Sequence, residues 1–111
     1  MIELTPLARP YAKALFASAL EDASLEEMAN ELQIMATASK SKEVANTIEN
    51  PSLSRQEVVT ILVNLFEESV SETSKRLVAI LAENKRLNLL QSIYSIYREL
   101  LAEHKEQNTV T

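Results

Sequence analysis

Two residue types that shape tight turns and crosslinks are missing from this chain. Its 111 residues include no glycine and no cysteine. Without cysteine there can be no disulfide framework and no thiolate metal site. Without glycine the backbone cannot approach a phosphate as it does in dinucleotide and P-loop sites, and tight hairpins lose their commonest residue. These absences predict helices joined by Ser, Asn and Pro.

Long apolar runs and an excess of positive charge are missing as well. No run approaches the roughly 18 apolar residues that cross a bilayer, and the N-terminus lacks the pattern of a secretory signal. The formal net charge is −5, which disfavours duplex nucleic acid because cationic groups must neutralise its phosphates. A membrane-surface module would need a basic amphipathic face, and none is present. We therefore expect no nucleic-acid partner and no direct membrane insertion.

Cap residues and apolar periodicity predict six helices within a single domain. The predicted openings, in chain order, are Thr5-Pro6, Ser24 with Glu27, Ser41, Ser54 with Glu57, Ser71, and Asn88 with Gln91. Asn84 is expected to take the left-handed position that ends the fifth helix. The residues predicted to face inward from the fourth helix are Val58, Ile61, Leu62, Leu65 and Phe66. The predicted fold is an all-α compact bundle of five to six helices.

The first and fifth helices are apolar around more of their circumference than one buried face requires. On the first helix, one stripe consists of Tyr11, Ala14, Leu15 and Ser18, and a second of Ala12, Phe16, Ala19 and Leu20. On the fifth, apolar residues cover well over half the circumference, with Arg76 and Glu83 on one flank. Two explanations stay open: both helices are central in the bundle, or a groove between them accepts an external helix.

Two segments resemble a known family. They read ARPYAKALF at residues 8–16 and LAENKRLN at residues 81–88. Together they are similar to the delta subunit of F-type ATP synthases, whose mitochondrial relative is the oligomycin-sensitivity-conferring protein. The resemblance implies a six-helix N-terminal domain of a non-catalytic peripheral-stalk (stator) subunit. It also implies that this domain holds the N-terminal helix of an alpha subunit, helping to tie the catalytic head to the membrane sector.

The resemblance has consequences for domains, partners and location. Residues 1–105 would form the helical domain, and residues 106–111 would start a linker to an absent C-terminal domain that meets the b-subunit stalk. The expected location is peripheral, on the cytoplasmic face of a bacterial inner membrane or its organellar equivalent. The implied partner-binding residues are Tyr11, Ala14, Leu15 and Ser18 from the first helix, and Arg76, Ala79, Ile80 and Glu83 from the fifth.

The residues themselves are compatible with an unrelated helical adaptor, and they argue against an enzyme. An unrelated helical adaptor that binds an amphipathic partner helix would use the same groove. An enzyme is disfavoured, since the only histidine, His104, falls on the apolar stripe of the last helix. Adjacent acidic residues such as Glu26 and Glu27 point about 100° apart on a helix and do not converge on one substrate. We predict no catalytic residue, no cofactor and no metal site.

Overall fold

The computed structural model describes residues 4–107, and this part of the chain is helical with no strand. The helices are α1 (Thr5–Glu21), α2 (Leu25–Ser39), α3 (Lys42–Glu49), α4 (Arg55–Phe66), α5 (Glu72–Glu83) and α6 (Leu90–Gln107). Short 3-10 turns at Glu67–Ser69 and Leu87–Leu89 precede α5 and α6. The predicted all-α bundle is confirmed. The last helix runs two residues past the predicted domain limit at 105, and residues 108–111 lie outside the described part.

The helices pack in two groups. In the first, α1 and α2 both lie against α6 and also touch each other. In the second, α4 pairs with α5. The short α3 contacts both α2 and α4, and the 3-10 turn at Leu87–Leu89 contacts both α5 and α6, so these two elements join the groups. One continuous apolar core runs through both groups, and its largest fully buried side chains include Tyr97, Leu32, Met35, Leu62 and Leu81.

Two of the predicted caps form as expected because each needs only residues three positions apart. The Ser41 side chain accepts a hydrogen bond from the Val44 N–H at the start of α3. Ser54 and Glu57 make a reciprocal capping box at the start of α4. The hydrogen bonds from Ser54 hold the pKa of the Glu57 carboxyl below its ordinary value. These local pairs fix where α3 and α4 begin.

The first helix begins at Thr5-Pro6 as predicted. The three remaining openings, at Ser24, Ser71 and Asn88, are wrong in their chemistry, although the helices themselves are present. Ser24 makes no side-chain cap. Its backbone N–H closes α1 by donating to the Ala19 carbonyl, and its backbone dihedral angles lie outside the extended region that an N-cap residue prefers. The Ser71 side chain does not cap its own helix but donates to Glu31 of α2. The helix opening predicted at Asn88 with Gln91 is replaced by the 3-10 turn Leu87–Leu89, and α6 begins at Leu90.

Across the described residues, positive-φ backbone positions follow the ends of three helices even though glycine is absent, and one of them is Glu67 after α4, with a φ of 45°. Ala23 has a φ of 53° after α1, and Lys85 has a φ of 58° after α5. After α5 the Arg86 N–H bonds the Leu81 carbonyl at 2.7 Å and the Lys85 N–H bonds the Ala82 carbonyl at 3.1 Å, which is the Schellman pattern of helix ends. The left-handed residue is therefore Lys85, and the expectation for Asn84, whose φ is −93°, is wrong by one position.

Lys85→Gly is expected to stabilise the fold by about 1 kcal/mol, because glycine removes the steric cost of a left-handed Cβ. In a domain of this size that corresponds to a rise of about 4–8 °C in the melting temperature. The measurement is thermal unfolding followed by circular dichroism. Asn84→Gly is the matched control and should lower the melting temperature, since Asn84 is not left-handed and donates through Nδ2 to the Ile80 carbonyl. The opposite order of the two variants would contradict this assignment.

The fourth helix presents a different face to the core from the one predicted. Val58, Leu62 and Phe66 are buried as expected, but Ile61 is 42% exposed and Leu65 is 56% exposed. The physical reason is that apolar residues surround most of α4, so periodicity alone does not choose its inner face. The position of α5, against which α4 packs, selects the stripe centred on Leu62.

Candidate functional site

The first half of the candidate site is an exposed stripe on α1, here called the α1 face, consisting of Leu7, Tyr11, Ala14 and Ser18. Leu7 is 41% exposed, Ala14 and Ser18 are exposed, and Tyr11 is half-buried. Spacings of four, three and four residues place them on one side of the helix. Ala14 lies near the middle of α1 and Ser18 lies one turn further on, and both are small enough to let a partner helix approach the backbone closely.

The predicted residue Leu15 does not lie on this surface. It is only 7% exposed and belongs to the buried stripe of α1, together with Ala8, Ala12 and Ala19. The reason is geometric, because Leu15 is the member of the first stripe nearest to the second, and the core is centred on the boundary between the two stripes. Leu15 therefore lies beneath the α1 face and supports it. The prediction that Leu15 contacts the partner directly is wrong.

The opposite flank of α1 is already occupied by α6. Phe16 meets the ring of Tyr97 edge-on with centroids 5.7 Å apart, and it meets His104 at the same distance. The second apolar stripe thus packs within the chain through Phe16, Ala12 and Ala19, and only Leu20 at its end is exposed. The flank that carries Tyr11, Ala14 and Ser18 is the one left for an external contact.

The second half of the candidate site is the α5 face, consisting of Arg76, Ala79, Ile80 and Glu83. Arg76 and Glu83 are exposed, Ala79 is half-buried and Ile80 is 47% exposed. Beneath it, Leu77, Val78 and Leu81 are buried in the core. Arg76 and Glu83 are seven residues apart, so their opposite charges lie about 10 Å apart along the helix axis. All four predicted α5 residues are accessible at least in part.

The two faces lie on different helical groups of the bundle. α1 packs chiefly on α6, whereas α5 packs chiefly on α4, and α1 and α5 are not among the extensively packed helix pairs. A groove between two helices requires that they be neighbours without being closely packed. The α5 face begins just after the first turn of its helix, which Glu31 of α2 holds through hydrogen bonds to Ser71 and Ser74.

Three further apolar residues are exposed although their pattern did not predict it. Leu7 extends the α1 face by one turn, and its spacing of four residues from Tyr11 was a signal that could have found it. Ile61 and Leu65 form a second exposed apolar pair on α4. No sequence signal identified that pair, because the pattern of α4 predicted that both residues were buried.

The chemistry of catalysis or metal binding finds little support in the described residues. His104 is half-buried and packs edge-to-face against Phe16 between α6 and α1. Across residues 4–107, no three His, Cys, Asp or Glu side chains are grouped so that they could hold a metal ion. The surface that stands out is apolar and helical, which suits a protein partner.

Comparison with known proteins decides the family. A model of the ATP synthase delta (OSCP) subunit family matches residues 7–111. The chain belongs to this family. The match includes both segments, 8–16 and 81–88, on which the resemblance was based, so that prediction is confirmed. Nothing in residues 4–107 forms a helix both long enough and apolar enough to span a membrane.

Three curated relatives named ATP synthase subunit delta illustrate the similarity. The ATP synthase subunit delta of Marinobacter nauticus is 41% identical over 98 residues, which cover 88% of this chain. That of Alkalilimnicola ehrlichii is 36% identical over 104 residues and 93% of the chain. That of Actinobacillus pleuropneumoniae is 33% identical over 111 residues and 100% of the chain. The matched segments span 55%, 58% and 62% of the length of these relatives.

Proposed function

We propose that this chain is the helical domain of a non-catalytic stator subunit of an F-type proton-translocating ATP synthase, and that it binds the N-terminal helix of an alpha subunit. The partner helix would lie between α1 and α5. The observation that supports the proposal is an exposed stripe on each of these two helices, in a chain of the delta family. The alternative of an unrelated adaptor has no such support from the family.

The composition of the two faces suits an amphipathic helix. Leu7, Tyr11 and Ile80 offer large apolar contacts, and the small Ala14 and Ser18 leave room for the partner backbone. Each large side chain is already about half covered, so complete burial of all three would contribute roughly 2–5 kcal/mol. Micromolar affinity requires about 8 kcal/mol. The partner helix also buries its own apolar side chains against these faces, and this second contribution must supply the remainder and offset the cost of ordering the helix. On that basis we expect micromolar affinity for the isolated chain.

Charge on the α5 face would set the direction of the partner. Arg76 and Glu83 mark opposite ends of this face, with Ala79 and Ile80 between them. A bound helix that places an acidic residue near Arg76 and a basic residue near Glu83 forms two favourable pairs, whereas the reversed helix meets like charges at both ends. Exposed pairs contribute little affinity but discriminate between orientations. The charged residues therefore select a single binding direction.

Membership of the delta family also supports proposals for the domains, the stalk partner and the location of the whole protein. Residues 1–105 would be the head-binding domain, and the residues after them would lead to a C-terminal domain that contacts the b-subunit stalk. The subunit would then lie at the membrane without entering it, on the cytoplasmic side of a bacterial membrane or its organellar equivalent. The net charge of −5 supports a protein partner over a nucleic acid.

Nuclear magnetic resonance mapping tests where the partner binds. The probe is a peptide of about 20 residues from the N-terminus of the alpha subunit, because a helix of that length spans about 30 Å. We expect the amide signals of the α1 face and the α5 face to shift together on titration. The exposed α4 pair, Ile61 and Leu65, is an internal control and should not respond. Shifts confined to α4, or absent from α1, would overturn the proposed site.

A further inference from the structure

Glu31 on α2 makes a group of hydrogen bonds that reaches across to α5. Its Oε1 atom accepts from the Ser71 backbone N–H at 2.7 Å, from the Ser71 hydroxyl at 2.8 Å and from the Ser74 hydroxyl at 2.6 Å. Ser74 is fully buried, and its Oγ also lies 3.8 Å from the sulfur of Met28. One carboxylate oxygen therefore holds the first turn of α5 from outside that helix.

This contact takes the place of an ordinary helix cap. Ser71 is the N-cap residue of α5, but its side chain accepts no hydrogen bond from the backbone of its own helix. The start of a helix favours a nearby negative charge because its first N–H groups have no partner within the helix. Part of that charge comes from Glu72 in the first turn of α5. The carboxylate of Glu31, 40 positions earlier in the chain than Ser71, adds further negative charge at the start of α5.

Glu31 also lies where the two helical groups meet. α2 belongs to the group with α1 and α6, whereas α5 packs chiefly on α4 and contacts α2 less extensively. The α1 face belongs to the first group, and the α5 face belongs to the second. The spacing between the two faces therefore depends on the contacts that join the groups. Arg76, the first residue of the α5 face, follows Ser74 by only two positions.

We infer that Glu31 is a positioning residue for the helix-binding surface. By tying the start of α5 to α2, its carboxylate sets the distance and angle between the α1 face and the α5 face. Glu31 need not touch the partner in this role, since it acts through Ser71 and Ser74. The inference rests on the proposed function for its consequence in binding, but the geometric part can be measured without any partner.

Three variants separate this role from a general loss of stability. Glu31→Ala removes the acceptor, and Glu31→Gln keeps an oxygen at the same reach without the charge. Glu27→Ala is the matched control, because Glu27 is an exposed acid on the same helix in its first turn. We expect peptide affinity to fall about fivefold to tenfold in Glu31→Ala. Glu31→Gln should recover most of that loss, and Glu27→Ala should bind within about twofold of the unmodified chain.

Distances between spin labels report the geometry directly. Because the chain has no cysteine, single cysteines can be introduced as label sites without competing thiols. A pair at Ala17 and Glu83 measures α1 against α5, and a pair at Thr60 and Glu83 measures α4 against α5. All three positions are exposed. In Glu31→Ala the first distance distribution should broaden or shift, whereas the second should stay unchanged.

The outcomes distinguish the inference from the function on which it rests. Unchanged α1–α5 distances in Glu31→Ala, with affinity within twofold, would overturn the positioning role even if the variant melts at a lower temperature. If the unmodified chain fails to bind the peptide, the proposed function falls, and the label distances still decide whether Glu31 fixes α5. Should Glu31→Ala not fold, Ser74→Ala replaces it, because it removes one donor with little change in buried volume.

Discussion

Ala14→Asp is expected to weaken binding of the alpha-subunit peptide by at least about thirtyfold, equivalent to about 2 kcal/mol. Ala14 is exposed on the α1 face between Tyr11 and Ser18, where the partner backbone would lie closest. An aspartate there would have to bury its charge beneath the partner helix without a matching group. The folded state should survive, because the substitution costs an exposed helix position no more than about 0.7 kcal/mol in propensity.

The control for this prediction is Ala102→Asp. Ala102 is an exposed alanine within α6, so the change in helix propensity is the same but the binding faces are untouched. Both variants should melt within a few degrees of each other, and only Ala14→Asp should lose affinity in calorimetric titration. Equal affinities would show that the α1 face is not the binding surface. Collapse of the Ala14 variant alone would show instead that Ala14 belongs to the core.

Tyr97→Ala should have the largest effect on stability, lowering the free energy of unfolding by about 3–5 kcal/mol. Tyr97 is fully buried on α6, and it joins three helices. Its hydroxyl donates to the Leu25 carbonyl of α2 at 2.8 Å, and its ring packs edge-on against Phe16 of α1. Burial raises the pKa of Tyr97 to about 12, with Glu26 and Glu27 adding to the effect, so the hydroxyl remains a donor at neutral pH.

Tyr97→Phe separates the ring from the hydroxyl. It keeps the contact with Phe16 and loses only the hydrogen bond to Leu25, so we expect a cost of about 1–2 kcal/mol. Urea unfolding followed by far-ultraviolet circular dichroism measures both variants. Equal midpoints for the alanine and phenylalanine variants would contradict the account, since the ring would then contribute nothing to packing. The phenylalanine variant should retain full peptide affinity, because Tyr97 is fully buried and belongs to neither proposed face.

The helices themselves could be predicted from the sequence because their signals are local. Ser54 and Glu57 satisfy each other within one turn, and α1 begins where Thr5-Pro6 predicts. Ser71 could not be resolved in the same way, since its partner Glu31 is 40 residues away. The cap predicted at Ser24 does not form because this residue both closes α1 and begins α2. The backbone conformation that closes α1 keeps the Ser24 side chain from capping α2.

The sequence predicted most of the residues of the candidate site, but it did not predict which of them are exposed and which are buried. A helical wheel shows that α1 has two adjacent apolar stripes, but it cannot show where between them the core is centred. Leu15 was therefore placed on the surface although it is buried, and Leu7 was omitted although it is exposed. The same limit applies to Ile61 and Leu65 on α4. Only the packing of whole helices against one another decides which flank of an apolar helix meets solvent.

The most direct test of the central claim is calorimetric titration of this chain with the alpha-subunit N-terminal peptide. We expect saturable one-to-one binding with micromolar affinity. Because binding would bury the α1 and α5 faces, it should be accompanied by a negative heat-capacity change. Absence of measurable heat of binding at peptide concentrations of several hundred micromolar, confirmed at two temperatures, would contradict the claim that this domain holds the alpha-subunit helix.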